Sequence, residues 1–215
     1  MEYKEVIRRR RMVRRFADRP VDPQAAERIL ASALRAPSAG FAQGWAFLVL
    51  TEPADLERFW PFVPNQVNHI PEVRNAPLVV VPLASQDAYV QRYVEKGWPE
   101  DSADRWPAPY WYIDAGMATL LMLLSAVDEG LDALLFWLMP EGVSAAAENL
   151  TPAHLDAFKA EFGVPAEYAP LGAIAIGYRA EDLAPQEQSV AERRKDSASL
   201  FHRGHWGKVA SGPSA

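Results

Sequence analysis

The chain contains no cysteine among its 215 residues. Disulfide staples, zinc thiolates, iron–sulfur clusters and thiol nucleophiles are therefore excluded. Histidine is scarce as well: His69, His154, His202 and His205 are the only four, none of them forms an H-E-x-x-H pair, and no metal site is expected. Also missing are G-x-G-x-x-G, G-x-x-x-x-G-K-[ST] and G-x-S-x-G, which removes the dinucleotide fingerprint, the P-loop and the hydrolase serine elbow. The longest nearly apolar run, from Ala115 to Val127, is bounded by Asp114 and Asp128 and falls short of the roughly 20 residues a bilayer requires. The amino terminus, MEYKEVIRRRR, carries charge where a signal peptide needs an apolar stretch. A cytoplasmic protein with no membrane partner is the expectation.

Apolar residues make up 49% and charged residues 23%, the balance of a globular chain able to bury a core of its own. One domain is expected over residues 1–206, followed by a disordered small-residue tail at 207–215. The net charge of −6 argues against nucleic acid as a partner. Yet 17 of the 22 basic residues are arginine, and six of them, Arg8, Arg9, Arg10, Arg11, Arg14 and Arg15, fall within eight positions.

Hydrophobic periodicity predicts a helix over 2–10 and a second one opened by Asp22-Pro23 and ended before Pro37. Buried strands are predicted at Trp45–Leu50, Leu78–Leu83, Leu131–Leu138 and Leu171–Tyr178. Further helices are predicted at Pro53–Trp60, Trp111–Glu129 and Pro152–Phe162, with a loop over Asn65–Arg74 between them. The helix over Trp111–Glu129 is apolar nearly all round, as a central core helix should be. Helices alternate with buried strands, so the class is α/β or α+β.

Two segments carry chemical signals. The run RRRRMVRRF lies at a helix end beside apolar Val13 and Phe16, which embeds it in structure, and the planar guanidinium fork suits a phosphate. A second cluster, Arg193-Arg194-Lys195, is a candidate to complete the same anion site from the carboxyl end. The other signal is Pro37-Ser38-Ala39-Gly40, a tight turn of small residues that lets a flat ring approach the backbone closely.

RRRRMVRRFADRPV, ALRAPSAGFAQGW, RNAPLVVV, EGLDALLF, LGAIAIGYRAE and ERRK…HRGHW follow one another along the chain. In that order they resemble the FMN-dependent nitroreductase family, over residues 1 to about 206. The resemblance implies an α+β fold with a central mixed sheet and a long buried helix, in a homodimer with FMN at the subunit interface. It places the FMN phosphate on Arg10, Arg11, Met12 and Arg14, and the ring and ribityl chain along Pro37, Ser38 and Ala39. An amide-type contact is implied from Gln66, Asn68 or His69, backbone N–H groups near flavin N5 from Trp137 and Leu138, and a second phosphate clamp from Arg193 and Lys195.

Three departures stand out. Met12 replaces a common serine, Phe41-Ala42-Gln43-Gly44-Trp45 replaces N-S-Q-P-W, and LLFWLM replaces a glycine- or cysteine-rich stretch. The last two make the implied pocket more apolar and bulky. The implied activity is ping-pong hydride transfer from NADH or NADPH to a nitroaromatic or quinone-like acceptor, with the flavin carrying the chemistry and no catalytic side chain. Flavin binding without turnover, or a flavin-cleaving or dehalogenating reaction, are the alternatives. Trp98 and Trp106, set among prolines and acidic residues, are candidate lid residues that stack on a planar substrate.

Overall fold

The computed structural model describes residues 1–139, 152–182 and 192–207. The chain divides into two compact units, Met1–Glu181 and Asp182–Ala215. The expected tail, Gly207 apart, lies outside the described residues.

In the first unit α1 (Tyr3–Arg9) and α2 (Pro23–Ala33) precede β1 (Trp45–Leu50). The side chain of Asp22 caps α2 by accepting from Gln24 N at 3.1 Å, and Pro23 occupies the first turn, where its missing N–H costs nothing. α3 (Pro53–Phe59), α4 (Pro64–His69) and a 3-10 turn (Pro71–Asn75) lead to β2 (Leu78–Ala84). The expected loop over Asn65–Arg74 is thus largely helical. Pro64 and Pro71, which look like breakers in the sequence, each open a short helix, and Val67 and Val73 are buried beneath them. α5 (Gln86–Val94) and the long α6 (Tyr110–Asp128) follow, then β3 (Asp132–Phe136), α7 (Pro152–Phe162), β4 (Ala169–Pro170) and β5 (Ala173–Gly177).

The sheet order is β1-β2-β5-β3, with β4 also pairing β2. Every pairing between these strands is antiparallel. The parallel component of the expected mixed sheet reduces, among the described residues, to an isolated bridge between Met12 and Ala133. Pro82 is tolerated inside β2 because β5 pairs it only as far as Val80 and β4 begins at Leu83, so no ladder donor is needed there.

Side chains alternate across the sheet. Leu78, Val80, Ala133, Ile174 and Ile176 meet Ile29 and Ala33 of α2 and Ala115, Ala118 and Met122 of α6 in one core. On α3 and α7 the rings of Phe59 and Phe158 stack edge-on, and Phe59 also meets Phe136 of β3. α6 runs 19 residues, longer than the bounded apolar run suggests, and by length and composition alone it would cross a membrane. Its Ala115, Ala118, Met122 and Ala126 are nevertheless fully buried in the protein, as in a core helix. It stops where Gly130 takes a left-handed backbone (φ +77), donating its N–H to Val127 O.

In the second unit a short helix, α8 (Ser197–Leu200), is capped by Asp196, which accepts from Ser199 N at 2.7 Å.

Candidate functional site

The arginine-rich segment leaves α1 at Arg10 and runs beside β3, where Val13 N donates to Ala133 O at 3.0 Å. This placement sorts the arginines. Arg8 and Arg9 both hydrogen-bond Glu5, and these bonds hold the Glu5 carboxyl down at about 2. Arg15 pairs with Glu72 at 3.1 Å. Arg10, Met12 and Arg14, two residues apart on one side of an extended segment, instead face two cavities.

The larger cavity, of about 850 Å³, is lined by Arg10, Met12, Tyr112, Gly116, Thr119, Leu120, Leu123, Leu135, Trp137, Leu138, Leu155 and Pro170–Gly172. Its walls are mostly aliphatic and aromatic, and among the described lining residues Arg10 is the one charged group. Gly172, at φ +137, packs so closely that a Cβ would collide with the Phe136 carbonyl. The smaller cavity, of about 270 Å³, is lined by Arg14, Asn65, Gln66, the strand end Leu134–Trp137, and Met139. Leu135 and Trp137 belong to both linings, so the two spaces adjoin.

Such a site suits a flat, mostly apolar ring system with a polar hydrogen-bonding edge and an anionic tail. One guanidinium and two primary amides line the smaller space, and a second guanidinium the larger. Among the described residues neither lining contains a carboxylate or a histidine.

The sequence-derived candidates distribute unevenly over this geometry. Arg10, Met12, Trp137 and Leu138 meet in the larger cavity, and Arg14 and Gln66 in the smaller. Arg11 is half-buried and lines neither. Of the 65–69 segment, Gln66 faces the cavity together with Asn65, which the sequence reading did not single out. His69 bonds back to Asn65 O at 2.7 Å within its own helix, and Asn68 lines neither cavity.

Pro37, Ser38 and Ala39 form a turn that rests on α5 and α6 and lines neither cavity. Ala39 N donates to Asp114 Oδ2 at 2.7 Å, and the same oxygen accepts from Tyr89 OH at 2.8 Å. Burial first, and then this bond, pushes the Tyr89 hydroxyl far above its ordinary pKa. Arg193 and Lys195 are exposed in the second unit. Trp98 and Trp106 lie outside both linings. The Trp106 ring is packed among Tyr89, Tyr93, Trp98, Tyr110 and Trp111, with centroids 4.6–6.3 Å apart.

The nitroreductase family model matches residues 7–178. The chain belongs to the nitroreductase family. A relative from Methanothermobacter thermautotrophicus, provisionally named NADH dehydrogenase/NAD(P)H nitroreductase, is 25% identical over 182 residues, spanning 85% of this chain and 80% of its own. Among solved structures, the NfrA1 nitroreductase of B. subtilis superposes with a TM-score of 0.69 at 18% identity, covering 95% of this chain and 75% of that one. A protein from Exiguobacterium sibiricum, provisionally named a nitroreductase and solved in complex with FMN, gives 0.63 at 19% identity, covering 87% and 93%. These structural likenesses establish that this nitroreductase-family chain shares their fold.

Proposed function

We propose that this nitroreductase-family chain is an FMN-dependent oxidoreductase that takes hydride from NADH or NADPH and passes it to a nitroaromatic, quinone or related acceptor. The observation that carries the reading is the sorting of the arginines. Arg8, Arg9 and Arg15 are paired with carboxylates, whereas Arg10 and Arg14 face adjoining cavities whose remaining described lining residues carry no charge. A phosphate dianion on a flat ring matches this donor set.

FMN, when bound, supplies the hydride-accepting and hydride-donating centre. The chain's own residues supply the rest. Arg10 and Arg14, with Arg11 and the Met12 backbone beside them, hold the phosphate. Gln66 and Asn65 offer amides to the polar edge of the ring, and the N–H groups of Trp137 and Leu138 serve the reactive edge. The aliphatic walls from α6 exclude water while donor and acceptor use the cavity in turn.

A homodimer completes the proposal. In one protomer the Pro37–Ala39 turn lies outside the arginine-bearing cavities, and α6, β3 and the residue after it leave Tyr112, Ile113, Leu120, Leu135 and Trp137 exposed. A second copy that covers this apolar face and brings its own turn to the cavity would bury more than about 2,000 Å². Light scattering at micromolar concentration should give a dimer, and a stable monomer would refute it.

The test of the activity is anaerobic bleaching of the flavin absorbance by NADH and by NADPH, followed by reoxidation with a quinone and with a nitroaromatic. Rapid bleaching and reoxidation support the reductase. Bound flavin that neither nicotinamide reduces would point to flavin sequestration instead.

A further inference from the structure

The turn after α2 is strained without an evident packing reward. Gly40, Phe41 and Gln43 all have left-handed backbones, at φ +63, +59 and +50, a region that side chains other than glycine disfavour. Phe41 is also 71% exposed, so burial of its ring does not offset the strain. Strain of this kind persists only where the surroundings hold it.

The surroundings here are specific. Arg92 Nε and Lys96 Nζ of the α5 region each donate to Gly40 O at 3.0 Å. A Cβ on Gly40 would lie 2.7 Å from Lys96 Nζ and from the Tyr93 ring, so the backbone is seated directly on these side chains. From α6, Asp114 reaches the turn through the bond from Ala39 N. Its side chain is 2% exposed, and its described hydrogen-bond partners are a backbone N–H and the buried Tyr89 hydroxyl, with no cation among them. Burying a carboxylate on such terms is unfavourable, and an apolar residue would serve α6 better as core.

We propose that Asp114 is a positioning residue for the flavin site: from α6 its Oδ2 holds the Ala39 N–H, and thereby the strained turn, in the form that lies along the flavin. This rests on the FMN reading above. Asp114 touches neither cavity. It acts through Ala39, with Tyr89 fixing the carboxylate and Arg92 and Lys96 anchoring the far side of the turn.

The experiment compares the parent dimer with Asp114→Ala and Asp114→Asn. Three quantities are read: the FMN dissociation constant well below the unfolding temperature, thermal unfolding, and amide hydrogen exchange of the 36–44 segment without FMN. Asn keeps an oxygen where Oδ2 stands, able to accept both bonds. Asp114→Ala should weaken FMN binding about ten- to a hundredfold and speed exchange at Ala39 by a similar factor, while Asp114→Asn stays within about threefold on both. A role confined to core stability would lower the unfolding temperature of Asp114→Ala and leave its FMN affinity unchanged.

Parent-like FMN affinity in a folded Asp114→Ala overturns the proposal. So does loss of affinity in Asp114→Asn with the Ala39 amide still protected, a comparison that stands even if the alanine variant does not fold. If the parent binds no FMN, the functional reading fails separately. The exchange comparison of Asp114→Asn and Asp114→Ala then decides whether Asp114 holds the turn.

Discussion

Replacing Arg179 by methionine isolates the ionic clasp that ties the end of β5 to β3 and, through it, to the arginine segment. Arg179 donates from Nε and from one terminal nitrogen to the two oxygens of Asp132, at 2.7 and 3.0 Å. The residue also bridges Phe16, and Ala180 N donates to Arg15 O at 3.0 Å, so the clasp helps keep residues 10–16 against the sheet. Methionine retains much of the stem and removes only the fork. A fully buried pair broken on one side costs about 3–5 kcal/mol, and an exposed one about 0–1 kcal/mol. Here Asp132 is 4% exposed and Arg179 47%, so solvent screens one partner and an intermediate loss of about 2 kcal/mol is expected. With a urea slope near 2 kcal/mol per molar, the unfolding midpoint should fall by about 1 M. Asp132→Asn combined with Arg179→Met should recover part of that loss, because no buried charge is then left unpaired. A midpoint shift below about 0.2 M for Arg179→Met would show a solvent-screened pair and refute the reasoning.

Two further outcomes follow from the same geometry. Because the folded-state pKa of Tyr89 is raised by burial and by Asp114, the unfolded chain deprotonates there first as pH climbs past about 10. Its contribution to stability is therefore full below that pH and lost above it, and Tyr89→Phe should blunt the alkaline fall in unfolding temperature; an unchanged fall would contradict the assignment. Trp106→Ala removes a half-buried ring packed on five others and should cost toward the lower end of about 3–5 kcal/mol in urea unfolding. If stability instead holds while the quinone-to-nitroaromatic ratio of kcat/KM moves in Trp106→Ala or Trp98→Ala, the lid expectation replaces the packing one.

Elements whose signals are local were legible in the sequence. Asp22-Pro23 marks its helix by a cap and a first-turn proline, and Trp45–Leu50 and Leu78–Leu83 show as apolar runs, the second broken only by Pro82, because both are strands of the core sheet. Pro64 and Pro71 misled because proline ends one helix and opens another with equal readiness. The arginine run stands out by composition alone, and the order of motifs points to Gln66, Asn68 or His69 and to Trp137 and Leu138; of these Gln66, Trp137 and Leu138 line the cavities. The other cavity walls, Gly116 to Leu123, Leu155 and Pro170–Gly172, come from separate elements joined only by tertiary packing, and no local pattern announces them. Asn65 went unremarked beside Gln66 although one short helix carries both to the same cavity. Asp114 looked like the boundary of an apolar run. Its signal was present all the same, an acid placed inside an otherwise apolar helix, and such residues are seldom buried without a partner.

If Arg10 and Arg14 hold a flavin phosphate, the absorbance spectrum of the purified protein, followed by FMN titration, will show it. The protein should be yellow and should release FMN on denaturation. Arg10→Ala and Arg14→Ala should each weaken retention by about 1.5–3 kcal/mol, the worth of a charge-assisted hydrogen bond. A colourless protein that takes up no added FMN, or arginine variants that hold it as tightly as the parent, would rule out a flavin phosphate at Arg10 and Arg14.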